Sequence, residues 1–210
     1  MSNIVLFDVD TQCDFMDPLG ALYVPGAEEI IGSLRKLFEC AARKEVLTVS
    51  TLCSHDEGDP ELKQFPPHCM MGTPGQARVL PDLPRLPRVR VPRGTIAPLT
   101  LASGTHYVVE KNTLDVFLNP WLARLSEVGA FKHRHCFVFG VATDYCVHTA
   151  VLGLLRAGAR VSLVADAVRG LAREASDAAM DDMCSQGAKV CAVNDVIRNV
   201  DRGQAEGNCN

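Results

Sequence analysis

Three side chains of this sequence could together perform nucleophilic chemistry: the thiol of Cys146, the carboxylate of Asp10 and the ammonium of Lys111. A thiol attacks a carbonyl carbon only after it has lost its proton, so it requires a base within reach. A carboxylate can accept that proton, and an ammonium stabilises thiolate and carboxylate together. The set predicts a cysteine hydrolase in which Asp10 carries the proton and Lys111 is the cation.

Each of the three residues also has a structural interpretation. Cys146 could be a buried cysteine close to a helix start, since free cysteine is among the most buried residue types. Asp10 could be a turn aspartate, with Asp8 and Asp14 as nearby competitors for the role of base. Of these, Asp8 is better interpreted as a structural residue of the strand. Lys111 could be a solvated surface lysine.

The segment that leads to Cys146 has the pattern of a strand, a tight turn and a helix start. Residues 137–147 have the sequence FVFGVATDYCV. Thr143 or Asp144 is a suitable N-cap, which predicts that Cys146 lies in the first turn of a helix. The N–H groups and partial positive charge of a helix start would lower the pKa of Cys146. The same N–H groups could hold an oxyanion.

The elements that must position these residues are predicted from alternating apolar and helix-period segments. Six Val-rich runs have the near-continuous apolarity of strands buried on both faces: residues 4–9, 46–50, 107–110, 136–141, 161–165 and 190–193. Apolar residues at helical spacing occur in residues 27–43, 147–157 and 174–186, with Gly158 and Gly187 as stop signals. This alternation predicts a three-layer α/β/α sandwich with a mostly parallel, about six-stranded Rossmann-like sheet.

Ligands of such sheets bind beyond the carboxyl ends of the strands. Asp10, Lys111 and Cys146 all follow predicted strands, so we expect them to meet at that edge. The long segment from Cys53 to His106 lacks periodicity, which is typical of a functional or disordered connection. Within it, residues 85–93 are interpreted as a solvated basic loop. We expect a single domain over residues 1–200 and a polar, frayed tail over residues 201–210.

Composition excludes several functional classes. The formal net charge is -4 and the sequence pI about 5.8, so we expect no nucleic-acid partner. Neither a membrane-spanning run nor a secretory-signal pattern is found, which favours a cytoplasmic protein. Nine cysteines without a framework spacing indicate free thiols. We expect Cys136 and Cys191 to be buried in strands and Cys209 to lie in the tail.

Four segments resemble the isochorismatase-like cysteine hydrolases, and among them the nicotinamidases. The segments are residues 10–15 (DTQCDF), 22–27 (LYVPGA), 111–117 (KNTLDVF) and 140–147 (GVATDYCV). The resemblance implies that family's fold and an Asp–Lys–Cys triad of Asp10, Lys111 and Cys146. It also implies a cis peptide at Val141–Ala142, which would direct the N–H groups of Ala142 and Cys146 toward the oxyanion.

A fifth segment, residues 65–75 (FPPHCMMGTPG), resembles the part of the nicotinamidases whose histidine binds a metal. The resemblance implies that His55, His68 and the residue at position 53 are metal ligands. Cys53 stands where the family usually has aspartate, and the family's further histidine is missing. Thiolate is a good zinc ligand, so zinc is the expected metal. Alternatively, metal binding is lost, or Asp56, Glu57 or Asp59 supplies a carboxylate.

The activity implied is hydrolysis of nicotinamide or a similar small carboxamide to acid and ammonia through a thioester. Phe15 and Phe65 are candidate walls of the substrate pocket, or plain core residues. Alternatives are an amidohydrolase for a carbamoyl or ureido compound, a vinyl ether hydrolase, and a catalytically silent binding or scaffold relative. The family often forms oligomers, so a homo-oligomer is expected.

Overall fold

The protein, described by a computed structural model, is built around one seven-stranded parallel sheet with helices on both faces. Residues 3–96 and 98–205 are described, with backbone alone at 204 and 205; Cys209 lies outside them. The strand order is β3-β4-β2-β1-β5-β6-β7. The strands are β1 Ile4–Val9, β2 Leu47–Cys53, β3 Arg88–Val91, β4 His106–Lys111, β5 His135–Val141, β6 Arg160–Arg169 and β7 Lys189–Cys191. The predicted fold class is confirmed.

The edge strand β3 corrects the expectation that residues 85–93 form a solvated loop. Arg88–Val91 pairs in parallel with β4, and its first three residues are exposed. An edge strand lacks the apolar run of a central strand because one edge and much of its surface remain in water. Arginines and flanking prolines are common at such edges, where they discourage pairing with another chain. The sequence analysis therefore missed this strand.

Six α-helices cover the sheet in the described part of the chain, namely α1 Cys13–Met16, α2 Ile31–Lys44, α3 Pro120–Glu127, α4 His148–Arg156, α5 Arg173–Ser185 and α6 Val193–Ala205. Helices α2, α4 and α5 occupy the three predicted segments. Gly158 and Gly187 have φ of 79° and 108°, as glycines that end a helix do. Helix α6 continues past residue 200 instead of ending in a frayed tail at 201, and Asp201 lies 3.2 Å from Lys44.

Helix α3 was missed although its start carries two clear signals. The side chain of Asn119 accepts hydrogen bonds from the backbone N–H groups of Trp121 and Leu122, which is how an N-cap satisfies the free donors of a helix. Pro120 occupies the first helical position, where its missing N–H costs nothing.

Alternation along β1 divides the core into two layers. Leu6 faces α2 and α6 with Leu34 and Phe38, whereas Val5 and Phe7 face α3 and α4. All six residues of β1 are buried, so the strand that carries Asp10 at its end is held on both faces.

Every helix among the described residues is too short or too polar to span a lipid bilayer.

A buried polar cluster lies deeper in the sheet than the strand ends. Asp8 accepts hydrogen bonds from Ser50 at 2.6 Å and from Arg78 at 3.0 Å, which agrees with its interpretation as a structural residue. The hydroxyl of Ser50 is also hydrogen bonded to Nε2 of His106, at 2.8 Å. Burial, together with the charges of Arg78 and Arg88, lowers the pKa of His106 to about 2.

His106 is expected to make the protein lose stability as the pH falls. The unfolded chain protonates this imidazole near pH 6.5, whereas the folded protein resists protonation down to about pH 2. We expect His106→Gln to make the free energy of unfolding less pH-dependent below about pH 5.5, by about 1.4 kcal/mol per pH unit for one proton. Urea unfolding at a series of pH values measures this. Above about pH 7.5 the two proteins should show the same slope; equal slopes throughout would contradict the assignment.

Candidate active site

Three parallel strands bring the predicted residues to one edge of the sheet. Asp10 follows β1, with a left-handed φ of 49° that turns the chain at the strand end. Lys111 is the last residue of β4 and is in register with Cys53, the last residue of β2. Cys146 lies in the turn that follows β5. The structure thus brings together Asp10, Lys111 and Cys146.

The ammonium of Lys111 lies at the centre of the site. Its Nζ is 2.8 Å from Oδ2 of Asp10, 3.4 Å from Sγ of Cys146 and 3.0 Å from Sγ of Cys53. Its side chain is almost fully buried. Burial lowers the pKa of Lys111, but the opposing influences, of which the charge of Asp10 is the largest, together outweigh this effect and raise the pKa well above its usual value. The surroundings of Lys111 therefore favour its charged form.

Thr51 on β2 orients the Asp10 carboxylate. Its hydroxyl donates to Oδ1 of Asp10 at 2.5 Å and accepts from the Asp10 backbone N–H at 3.1 Å. The sequence analysis did not find Thr51, because only the register between β1 and β2 places the threonine beside Asp10. One carboxylate oxygen is thus fixed by Thr51, and the other is paired with Lys111.

The turn that carries Cys146 differs from the predicted helix start. Val141–Ala142 is cis, as the resemblance implied. Thr143–Val147 then forms a π-helical turn without a side-chain cap, and α4 begins only at His148. The Asp144 carboxylate instead accepts hydrogen bonds from the N–H groups of Leu171 and Ala172, both at 3.0 Å. The predicted N-cap role of Thr143 or Asp144 was wrong, because Asp144 anchors the loop after β6.

The surroundings of Cys146 favour the protonated thiol. A hydrogen bond with the Cys53 thiol and burial raise the pKa of Cys146 well above its usual value, although Lys111 opposes the shift. The sequence analysis expected the opposite direction from the helix start alone. A neighbouring thiol and loss of water outweigh the partial charge of the turn. Cys146 therefore needs a base to become a nucleophile.

Glycine is required at the end of β5, immediately before the turn. Gly140 has φ of 116°, a conformation that other residues rarely adopt. A Cβ at this position would lie 2.1 Å from the backbone oxygen of Val9. Gly140 thus allows β5 to approach the end of β1 closely, which brings the Cys146 turn toward Asp10.

Cys53, His55 and His68 form a buried group with the ligand types of a metal site. One ligand atom from each lies within 4.8 Å of the other two. Both ring nitrogens of His55 and Nε2 of His68 are buried without a hydrogen-bond partner among the described residues. Burial, with a contribution from His68, lowers the pKa of His55 to about 4, so its imidazole is neutral, as metal binding requires. Unpaired buried nitrogens beside a thiol fit a zinc ion.

Two carboxylates lie beside this group. Oδ2 of Asp59 is 3.3 Å from Nδ1 of His55, but the same carboxylate is engaged by Arg93 and Asn112. Oε1 of Glu61 is 3.7 Å from Nε2 of His68, and its Oε2 is buried without a partner among the described residues. Glu61 was not found from the sequence, since it lies in a short 3-10 helix, Pro60–Lys63, outside the matched motifs.

The other candidate carboxylates lie farther out. Asp56 is exposed and paired with Arg93, and Glu57 is exposed. Neither belongs to the group of Cys53, His55 and His68.

Gln12 holds the backbone of Cys53 in place. Its side-chain oxygen accepts from the Cys53 N–H at 2.7 Å, and its amide nitrogen donates to the Cys53 oxygen at 2.8 Å. The same nitrogen donates to the Gln76 oxygen at 2.9 Å. The glutamine two positions after Asp10 thus links the end of β2 to the loop that follows it.

An aromatic pocket opens onto Cys146. Phe15 and Phe65, the two predicted wall residues, line it together with Glu61, His68 and Tyr145. The cavity is narrow, with ≈ 20 Å³ of space, about the room needed by one water molecule. Phe65 and Tyr145 meet edge to face at 5.5 Å between ring centroids and are only partly buried. We expect these two rings to move when a substrate enters.

Comparisons with known proteins agree with this architecture. The nicotinamidase of Saccharomyces cerevisiae is 22% identical over an alignment that covers 78% of this chain and 87% of the yeast protein. The zinc-bound pyrazinamidase of Pyrococcus horikoshii has 28% identity and a TM-score of 0.72, with 90% of this chain and 99% of that chain covered. The N-carbamoylsarcosine amidase of Thermoplasma acidophilum has 23% identity and a TM-score of 0.68, covering 92% and 97%.

A family profile described as the isochorismatase domain matches residues 5–195. The match includes all four motifs and the loop that carries His55 and His68. By this match, the chain belongs to the isochorismatase family of hydrolases.

Proposed function

We propose that this protein hydrolyses a small aromatic carboxamide, with nicotinamide as the leading substrate, to the carboxylic acid and ammonia. The observation that carries the proposal is the Lys111 ammonium, which contacts Asp10 and Cys146 at once. Beside it lie a cysteine and two histidines with buried ring nitrogens that could bind a metal. Asp10, Lys111 and Cys146 supply the chemistry of acyl transfer. Cys53, His55 and His68 supply a site for a metal, to which the substrate could bind.

Asp10 is the proton carrier of the proposed reaction. It takes the proton of Cys146, and the thiolate attacks the carbonyl carbon while the N–H groups of Ala142 and Cys146 stabilise the oxyanion. Asp10 then protonates the departing nitrogen, which leaves as ammonia. Finally, Asp10 removes a proton from water, which attacks the thioester and releases the acid and the Cys146 thiol. Lys111 keeps Asp10 and the thiolate in place throughout.

Cys53, His55 and His68 are the residues that would hold zinc. Bound there, the metal would anchor a heteroaromatic nitrogen of the substrate in the pocket. A thiolate in place of the family's aspartate makes the ligand set softer and favours zinc over harder divalent ions. Phe15 and Phe65 would flank the planar ring.

The relatives support this substrate class, since the yeast protein is named a nicotinamidase and the archaeal one a pyrazinamidase. Both names denote amides of nitrogen-containing aromatic rings. The amidase of Thermoplasma acidophilum is named for a carbamoyl compound, so carbamoyl and ureido compounds form the competing class. A cytoplasmic homo-oligomer remains a prediction from the sequence and the family resemblance.

Ammonia release and metal content test the proposal together. We expect the purified protein to release ammonia from nicotinamide and pyrazinamide and to contain about one zinc per chain. Removal of zinc by a chelator should raise KM more than it lowers kcat, because the ion anchors the substrate and the thiol performs the attack. Zinc should restore the original KM.

His68→Ala and Cys146→Ala separate the two parts of the site. The first should lose zinc and retain slow turnover, whereas the second should keep zinc and lose turnover. Turnover of carbamoyl or ureido compounds alone, in a protein without bound metal, would exclude the nicotinamidase assignment.

A further inference from the structure

Two cysteines from different strands share one ammonium in the active site. Lys111 Nζ donates to Sγ of Cys53 at 3.0 Å and to Sγ of Cys146 at 3.4 Å. Because both sulfurs contact the same nitrogen, they lie close to each other. Both are buried and neither is in a disulfide. The aspartate that the family usually has at position 53 could not form a disulfide with Cys146. A disulfide between these two positions is therefore possible only because residue 53 is cysteine.

The other nearby thiols have different surroundings. Cys69 is buried close to the site, but its Sγ contacts the backbone oxygen of Gly75 at 3.9 Å. Cys136 lies near the start of β5, at the opposite end of the strand from the Cys146 turn. Cys53 is thus the cysteine placed to react with Cys146.

We propose that Cys53 and Cys146 form a reversible disulfide when the protein meets hydrogen peroxide. Asp10 takes the proton of the Cys146 thiol, the sulfur attacks one peroxide oxygen, and the O–O bond breaks. The other oxygen leaves as water with the proton from Asp10, and Cys146 becomes a sulfenic acid. The sulfur of Cys53 then attacks the Cys146 sulfur; an S–S bond forms, and the sulfenic oxygen leaves as water with the proton of the Cys53 thiol. Two thiols and one peroxide give one disulfide and two waters, and a reducing thiol reverses the reaction by exchange.

The narrow cavity selects the oxidant. Its ≈ 20 Å³ corresponds to about one water molecule, so hydrogen peroxide fits beside Cys146 without the ring movement that a substrate requires. Glutathione disulfide is much larger than the proposed substrate and needs a far wider opening. The expected oxidation is therefore specific for small oxidants, although Cys146 is only 7% exposed.

The bond would disable the site in two ways. It would remove the attacking sulfur and one of the three metal-ligating side chains. The loss of activity rests on the proposed function. Because zinc bound by Cys53 would compete for that sulfur, the bond is measured after the metal has been removed with a chelator, and the bond itself is the decisive measurement.

Mass spectrometry of tryptic peptides identifies the bond directly. Cleavage after Lys44, Lys63, Arg134 and Arg156 leaves Cys53 in peptide 45–63 and Cys146 in peptide 135–156, which also contains Cys136. After peroxide treatment and alkylation of free thiols, we expect these two peptides to be linked, with fragmentation assigning the bond to Cys146. Dithiothreitol should separate them, and glutathione disulfide should produce far less of the link.

Two variants identify the partner. Cys53→Ser should form no link and should instead show Cys146 oxidised to sulfinic or sulfonic acid, which dithiothreitol does not reverse. Cys69→Ser, the matched control with a neighbouring buried thiol changed, should form the link as the wild type does. Two results with the wild type would overturn the proposal, even if Cys53→Ser failed to fold. In the first, Cys146 is oxidised to sulfinic acid and forms no link; in the second, it is linked to peptide 64–78 through Cys69.

Discussion

Cys146→Ala is expected to lower the rate of ammonia release by about 10³-fold or more, because the variant lacks the atom that forms the thioester. The fold should persist, since an alanine methyl group fits where the buried thiol was. Single-turnover assays with nicotinamide measure the remaining rate, and intact-protein mass spectrometry during turnover should show the acyl adduct in the wild type alone.

Cys136→Ala is the matched control for this variant. Cys136 is also buried, near the start of β5, but lies at the opposite end of that strand from the site. We expect it to retain activity and to lose a little stability through the small cavity that it creates. Full ammonia release by Cys146→Ala would show that the mechanism is not covalent. Absence of turnover in the wild type with every amide tested would favour a catalytically silent binding relative.

Lys111→Met is expected to lower the free energy of unfolding by about 3–5 kcal/mol, the usual cost of leaving a buried charge without its partner. Lys111 and Asp10 are both almost completely buried, 2.8 Å apart. Methionine has a similar length but no charge, so the Asp10 carboxylate would be left in an apolar, nearly dry environment. Urea unfolding at neutral pH measures the loss.

A double variant tests whether this loss arises from charge. Asp10→Asn combined with Lys111→Met removes both charges, and we expect it to be more stable than Lys111→Met alone. Arg198→Met breaks the exposed pair with Asp195 and is the control; it should change stability little, because water already solvates both charges. Additive effects of Asp10→Asn and Lys111→Met would show that the two side chains are not coupled.

The sequence predicted those site residues that lie at strand ends or in recognisable motifs, because nearby residues are enough to locate them. The ends of apolar strands placed Asp10, Lys111 and Cys146 at one edge of the sheet, since parallel strands present their carboxyl ends together. Cys53, His55 and His68 were also identified as a group, through the resemblance of two loops to a known pattern. Strand β3 was not predicted from the sequence, because an exposed edge strand lacks the apolar run by which the other strands were identified.

Contacts made across the sheet could not be read from the sequence. Thr51 orients Asp10 through the pairing of β1 with β2, and Glu61 reaches His68 from a short 3-10 helix. Asp144, a good N-cap by type, binds the loop after β6 instead. Each of these side chains has several partners that are chemically acceptable, and the packing of distant segments selects one.

The sequence alone determined that this chain forms a parallel α/β sheet with a cysteine, a carboxylate and a lysine at its strand ends. The need for glycine at position 140 came from the structure, because a Cβ there would strike the backbone of Val9. Tertiary structure alone decided the direction in which the pKa of Cys146 is shifted. The turn by itself favours a thiolate, but the Cys53 thiol and the loss of water raise the pKa of Cys146. That outcome depends on Cys53 at the end of β2 and on burial, which arise only in the folded sheet and together outweigh the opposing charge of Lys111.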